Sequence, residues 1–227
     1  MALSHTMDKL LVIYRKLLLE YGPQHWWPGD TKLEIIIGAI LTQGTSWGNA
    51  EKAINNLKAN GKLNIHALKD IQHDELADLL YPSVYFNVKA RKIKEFIGYL
   101  SVNYTSDLDL LLSKNMKDLR GDLLAIYGIG NETADDIVLY AANKPSFVVD
   151  SYTRRIVDRV GINPVGQGYL DYQRIFMESL PSDTALFNEF HALLDKHAAR
   201  KCHKKGPDCK NCCLLELCST GYKSVYN

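Results

Sequence analysis

Apolar residues return every three or four positions through most of this chain, as in "MDKLLVIYRKLLLEYG", "LEIIIGAILTQ", "AEKAINNLKANG", "VKARKIKEFIGYLSVNY", "NMKDLRGDLLAIYG" and "NETADDIVLYAAN". That spacing gathers them on one face of an α-helix, and such faces are buried by packing helix on helix. Strand signals are scarce. "PSFVVD" is the one β-branched run, too short and too isolated to build a sheet. Stops such as "YGP", "ANG", "YPS", "NKPS" and "GINPVGQG" divide the pattern into about ten short helices. The predicted class is all-α, with no internal repeat, coiled-coil heptad or low-complexity segment, and the loops are too short for a linker to mark a domain boundary.

The chain has 227 residues, enough for one large domain or two small ones. Its 46% hydrophobic residues and formal net charge of +1 are those of an ordinary globular protein. No apolar run approaches the roughly 18 to 20 residues of a membrane helix, and "MALSHTMDKLL" lacks the charged-then-apolar build of a secretory signal. A cytoplasmic protein without membrane attachment is expected.

All five cysteines fall in "CHKKGPDCKNCCLLELC", Cys202 to Cys218. A reducing compartment disfavours disulfides and makes clustered cysteines metal ligands. "CKNC" has the two-residue gap of a zinc knuckle, but no second knuckle follows it. Cys202, Cys209, Cys212 and Cys218 alternatively form C-x6-C-x2-C-x5-C, a single uneven loop that can wrap four thiolates around an iron–sulfur cubane. Cys213 is then a neighbour rather than a ligand. Spacing alone leaves zinc and iron–sulfur both open.

The most informative interior stretch runs from Leu123 to Gly161, "LLAIYGIGNETADDIVLYAANKPSFVVDSYTRRIVDRVG". Gly128 and Gly130 bracket Ile129 between two amphipathic helices, where a tight hairpin requires positive φ and close approach. The amides of Gly128, Gly130 and Asn131 open the following helix and suit a phosphate, directly or through a cation. A purely structural turn would use the same glycines. Asp150 ends "FVVD" at the next helix start, a position that also suits an N-cap.

Taken in order, the glycine hairpin, the carboxylate after a β-like run and the terminal cysteine loop resemble the helix-hairpin-helix DNA glycosylase superfamily that includes endonuclease III, over nearly the whole chain. The resemblance implies a two-domain helical fold. Residues 1–31 and 145–227 would form a helical domain carrying a [4Fe-4S] cluster on Cys202, Cys209, Cys212 and Cys218. Residues 32–144 would form a six-helix barrel with the hairpin at 115–143. It further implies Asp150 as the catalytic aspartate, backbone binding of double-stranded DNA at Gly128, Ile129, Gly130 and Asn131 with a monovalent cation there, and a monomer acting at the nucleoid in a prokaryote. Endonuclease III has an imine-forming lysine where this chain has Glu132, and glutamate cannot form an imine. A monofunctional glycosylase using water is therefore expected, with Asp150 stabilising the oxocarbenium-like sugar and orienting the nucleophile.

The chain's three tryptophans, Trp26, Trp27 and Trp47, lie in "HWWPGDTKLEIIIGAILTQGTSW". Electron-rich rings attract a cationic alkylated purine by about 2 kcal/mol when desolvated. "WWP", "LTQ-x-T" followed by an aromatic, "GIG-x-E" and "VVD-x-Y" are similar to the 3-methyladenine DNA glycosylase III group. By that likeness Trp26, Trp27, Pro28, Trp47 and Glu132 would form the base pocket, and Gln43 would fill the gap left by a flipped base. The alternatives are an endonuclease III-type or thymine/uracil mismatch glycosylase, or a non-catalytic iron–sulfur DNA-binding module. Lys89, Arg91, Lys92 and Lys94, with Arg200, Lys201, Lys204, Lys205 and Lys210, are expected to form a phosphate-facing surface, and Tyr81 to Asn87 to approach the pocket.

Overall fold

The computed structural model describes residues 2–226, with side chains from residue 6 onward. Among these residues thirteen α-helices follow one another: α1 (Ala2–Tyr21), α2 (Lys32–Leu41), α3 (Trp47–Ala59), α4 (Ile65–Asp70), α5 (His73–Leu79), α6 (Phe86–Tyr104), α7 (Leu108–Ser113), α8 (Met116–Leu124), α9 (Asn131–Asp136), α10 (Ser151–Arg159), α11 (Tyr169–Ser179), α12 (Thr184–Arg200) and α13 (Ser219–Tyr226). A π-helical turn, Ile137–Ala141, continues α9. No strand forms among the described residues, and none of their helices is long and apolar enough to cross a membrane. The count exceeds the predicted ten because α4, α5 and α7 have only six or seven residues, too few for a three-to-four repeat to show. The starts of α4 and α7 are instead set by caps: Asn64 and Asp107 accept the backbone N–H groups of Ala67 and Leu110.

The chain divides into two compact units, Met1–Trp26 with Pro145–Asn227, and Trp27–Lys144. In the second unit α2 beyond its first turn is entirely apolar, and it buries Leu33, Ile36, Ile37, Ile40 and Leu41, while Glu34 in that first turn is buried against Lys58. A helix of that kind has to be enclosed, and α3, α6, α9 and the π turn pack around it.

In the first unit the core is aromatic. Phe147 stacks on Phe176 at 3.8 Å and meets Phe187 and Phe190 edge-on. The β-like run Phe147–Val149 is fully buried here as a single extended segment. A lone extended segment leaves backbone groups without a ladder. Side chains replace it: Val149 N–H donates to the Tyr169 hydroxyl, Phe147 N–H to the Met177 sulfur, and Gln173 Nε2 donates to the Phe147 carbonyl. This anchoring fixes the residue that ends the segment, Asp150.

Candidate active site

Asp150 is the N-cap of α10, its Oδ1 accepting the Thr153 N–H at 2.7 Å. One carboxylate oxygen is thereby committed to the helix, and the half-buried side chain is held in a single direction.

The cysteine loop lies in the same unit. Cys202, Cys209, Cys212 and Cys218 line one cavity together with the apolar side chains of Ile156, Val160 and Leu214, and Cys213 does not line it. All five thiols are free of disulfides. Burial pushes the Cys212 thiol up to about 11, and the neighbouring cysteines add to the shift. Such a set suits a cation that removes the protons and offsets the crowded negative charge. Donors already point at the sulfurs: Arg159 Nη1 is 3.1 Å from Cys202 Sγ, Leu214 N–H 3.4 Å from Cys212 Sγ and Gly221 N–H 3.2 Å from Cys218 Sγ. His197 Nε2 lies 3.5 Å from Cys212 Sγ, with its Nδ1 at 2.9 Å from the Tyr21 hydroxyl. Burial lowers His197 to about 4, so the ring is neutral. With the tyrosine donating to Nδ1, the remaining ring N–H points to sulfur. Four cysteines in an apolar shell, three of them with hydrogen-bond donors at their sulfurs, fit an iron–sulfur cubane.

In the second unit the hairpin joins α8 to α9. Gly128 takes φ +82°, but Gly130 does not share this requirement: at φ −93°, ψ −176° it is an ordinary extended N-cap, and a Cβ there would meet nothing within 4 Å. Its value is open space rather than conformation. Ile129 is buried. Arg120 on α8 clamps the hairpin, donating to Asn131 Oδ1 at 2.8 Å and to both oxygens of the fully buried Asp135.

Gln43 follows α2 in a turn and is tied to the same hairpin. Its Nε2 donates to the Gly128 carbonyl at 3.1 Å and to the Thr133 hydroxyl at 2.8 Å, while Lys92 Nζ donates to its Oε1. Beside it, Val84 takes positive φ with an extended ψ (58°, 151°) and Tyr85 is left-handed (49°, 31°), conformations that cost non-glycine residues roughly 1–3 kcal/mol each. Both are exposed, and the Tyr85 ring comes within 3.8 Å of where a Cβ on Gly44 would stand. Nothing in the composition of "YPSVYFN" announces this strain.

Trp27 and Trp47 meet edge-on at 5.5 Å, and Trp27 also tilts against Tyr140 at 5.3 Å. The indole lies over Gly38, where a Cβ would come 3.0 Å from Nε1. Both indoles are half-buried, and Pro28 is exposed. Trp26, also half-buried, belongs to the first unit. Tyr140 was not legible as a partner, because it sits within an apolar helical pattern ordinary for a core. Glu132 is exposed in the first turn of α9.

The expected basic surface is corrected for Lys89 and Lys94. Lys89 is 2% exposed and gives its ammonium to the carbonyls of Leu41 and Ser83, with burial lowering its pKa to about 8. Lys94 caps the end of α4 through the carbonyls of Leu68, Lys69 and Ile71. Carbonyls left over at turns and helix ends recruit these cations inward. Arg91 covers the Tyr127 ring at 4.1 Å. Around the cysteine loop Lys201 pairs with Asp208 at 2.8 Å, whereas Arg200, Lys204, Lys205 and Lys210 are exposed.

Residues 37–182, more than half of the chain, match the model of the HhH-GPD superfamily of base excision DNA repair proteins. The chain belongs to this superfamily. It is thus a base excision repair DNA glycosylase of the HhH-GPD family, and its all-α architecture is the one that family predicts. A protein of Methanocaldococcus jannaschii named as a candidate DNA repair glycosylase is 42% identical over 218 residues, covering 95% of this chain and 98% of its own length. Among solved structures, the 3-methyladenine DNA glycosylase of H. pylori bound to 1,N6-ethenoadenine superposes with a TM-score of 0.75 at 26% identity, covering 86% of this chain and 97% of that one. A non-covalent endonuclease III–DNA complex superposes with a TM-score of 0.82 over 97% of this HhH-GPD chain and 99% of its own; at 19% identity it bears on the fold alone.

Proposed function

We propose that this HhH-GPD protein is a monofunctional glycosylase that hydrolyses the N-glycosidic bond of alkylated purines such as 3-methyladenine in double-stranded DNA. The observation that carries the reading is the ring cluster of Trp27, Trp47 and Tyr140, an electron-rich surface for a cationic base; the H. pylori relative, solved with a modified adenine, supports it. A flipped purine would stack on Trp27 and Trp47, backed by the buried Tyr140, with Pro28 and Glu132 completing the pocket and Gln43 filling the gap in the duplex. The hairpin amides of Gly128, Gly130 and Asn131 would take a backbone phosphate in the open space over Gly130, while the Ile129 N–H donates to the Ile126 carbonyl at 3.2 Å and holds the turn. Asp150, as the catalytic carboxylate, would stabilise positive charge on the deoxyribose and orient water. An alkylated purine leaves without acid assistance, so one carboxylate suffices. Cys202, Cys209, Cys212 and Cys218 would hold a [4Fe-4S] cluster, which when bound supplies a cross-link for the loop.

Trp47→Leu tests the recognition step, since it keeps apolar bulk and removes the ring quadrupole. Release of 3-methyladenine is expected to fall by about tenfold or more, the equivalent of 1.4 kcal/mol, while release of a neutral base falls less. Wild-type protein that frees no methylated purine from alkylated duplex, yet excises thymine or uracil opposite guanine, would overturn the substrate assignment in favour of mismatch repair.

With Glu132 at the imine position, borohydride is expected to trap no covalent protein–DNA adduct, and strand cleavage should need added alkali. An efficiently trapped adduct contradicts this. Lys92, held against the hairpin with its pKa lowered by burial, is the amine whose replacement would then be tried.

A further inference from the structure

Three segments of the second unit meet at Gln43. The turn after α2 carries it, the hairpin and the start of α9 take its Nε2 through the Gly128 carbonyl at 3.1 Å and the Thr133 hydroxyl at 2.8 Å, and Lys92 of α6 donates to its Oε1. A side-chain amide has two N–H donors and an oxygen with two lone pairs. Both donors are engaged, and the oxygen keeps one lone pair for anything that arrives. The amide is therefore held from both ends, in one orientation.

The approach of Lys92 is built into the hairpin. Its aliphatic stem runs over Gly128, where a Cβ would collide with it, so this glycine is required twice, for φ +82° and for the passage of the lysine. One turn earlier on α6, Lys89 holds the carbonyls of Leu41 and Ser83, which pins the main chain just ahead of Gln43. Lys92 is left to hold the side chain. Burial lowers the pKa of Lys92, but an amine donates an N–H in either protonation state, so the contact with Gln43 does not depend on a charge.

We propose that Lys92 is a positioning residue for base extrusion, holding the Gln43 amide against the hairpin so that the group which fills the gap in the duplex is already ordered when DNA binds. This rests on the reading of Gln43 as the residue that fills that gap. A free glutamine side chain loses rotamer freedom at the moment of insertion, whereas one ordered on folding does not. Because the Gly128 carbonyl belongs to the hairpin, seating the hairpin on a phosphate also sets where Gln43 enters the stack. The advantage exists only where a base has lost its partner and has to be kept in place. A lesion opposite an abasic site leaves no such base.

The test is single-turnover excision by Lys92→Met, which keeps most of the stem and removes the donor. The duplexes carry the base that wild-type protein releases most readily, placed opposite a normal base or opposite an abasic site. Opposite a normal base the rate should fall about tenfold; opposite an abasic site it should fall much less, since an unpaired base costs least to extrude. Lys92→Met with Gln43→Ala should be no slower than Gln43→Ala alone. Equal losses on the two duplexes, or additive losses in the double variant, would overturn the proposal in favour of a purely structural lysine. Weaker binding to every duplex, with a salt slope smaller by about one, would overturn it in favour of a phosphate contact. If Lys92→Met does not fold by circular dichroism, Lys92→Gln, too short to reach Gln43, takes its place under the same criteria. Gln43→Ala separates the two readings. If it excises the paired base at the wild-type rate, the gap-filling assignment fails and the Lys92 role with it; if it is slow while Lys92→Met is not, the Lys92 role alone fails.

Discussion

Asp150→Asn is expected to lower base release from every accepted lesion by about 10³-fold or more, while affinity for damaged duplex changes only a few-fold. The substitution retains shape and leaves an amide oxygen able to cap α10 through the Thr153 N–H, now 2.7 Å from Oδ1, so the fold should hold. What disappears is the negative charge that counts when positive charge develops on the sugar, and a loss confined to the transition state appears in kcat rather than in binding. Single-turnover kinetics beside a gel-shift titration measure the split. Equal losses in binding and turnover would reassign Asp150 to substrate affinity or to the fold.

Cys212→Ser should lose most of the iron and sulfide of anaerobically purified protein, the brown colour, and stability, since binding free energy of this kind is folding free energy. A loss of several kcal/mol corresponds to a midpoint lower by about 10 °C in a chain of this length. Cys213→Ser is the control: Cys213 lies outside the cavity that the other four line, so iron content should be unchanged. Colourless wild-type protein with stoichiometric zinc would replace the iron–sulfur assignment with the zinc alternative.

How much of the site was legible varies by residue. The hairpin glycines stood out because two of them one residue apart, between amphipathic helices, mark a tight turn. Which of them needs positive φ depended on backbone path: Gly128 does and Gly130 does not. Asp150 was visible at a helix start. The depth of the extended segment behind it was not, because "FVVD" reads like a strand whose partner would be another strand, whereas its partners are Tyr169, Met177 and Gln173. The pairing of Lys92 with Gln43 left no signal, since residues so far apart in the chain share no periodicity. Lys89 misled in the opposite direction: a lysine in a basic run predicts a solvated face, and only the carbonyls of Leu41 and Ser83 account for its burial.

By itself the sequence determined the helical class, the hairpin, the four-cysteine spacing and the family, because each depends on residues near one another in the chain, where periodicity, turn chemistry and ligand spacing act directly. Tertiary structure alone decided what surrounds those motifs. It set Tyr140 against Trp27, Lys92 on Gln43 and Arg120 across the hairpin. Contacts of that kind join distant segments, and they exist only once burial of the apolar faces has fixed which helices are neighbours.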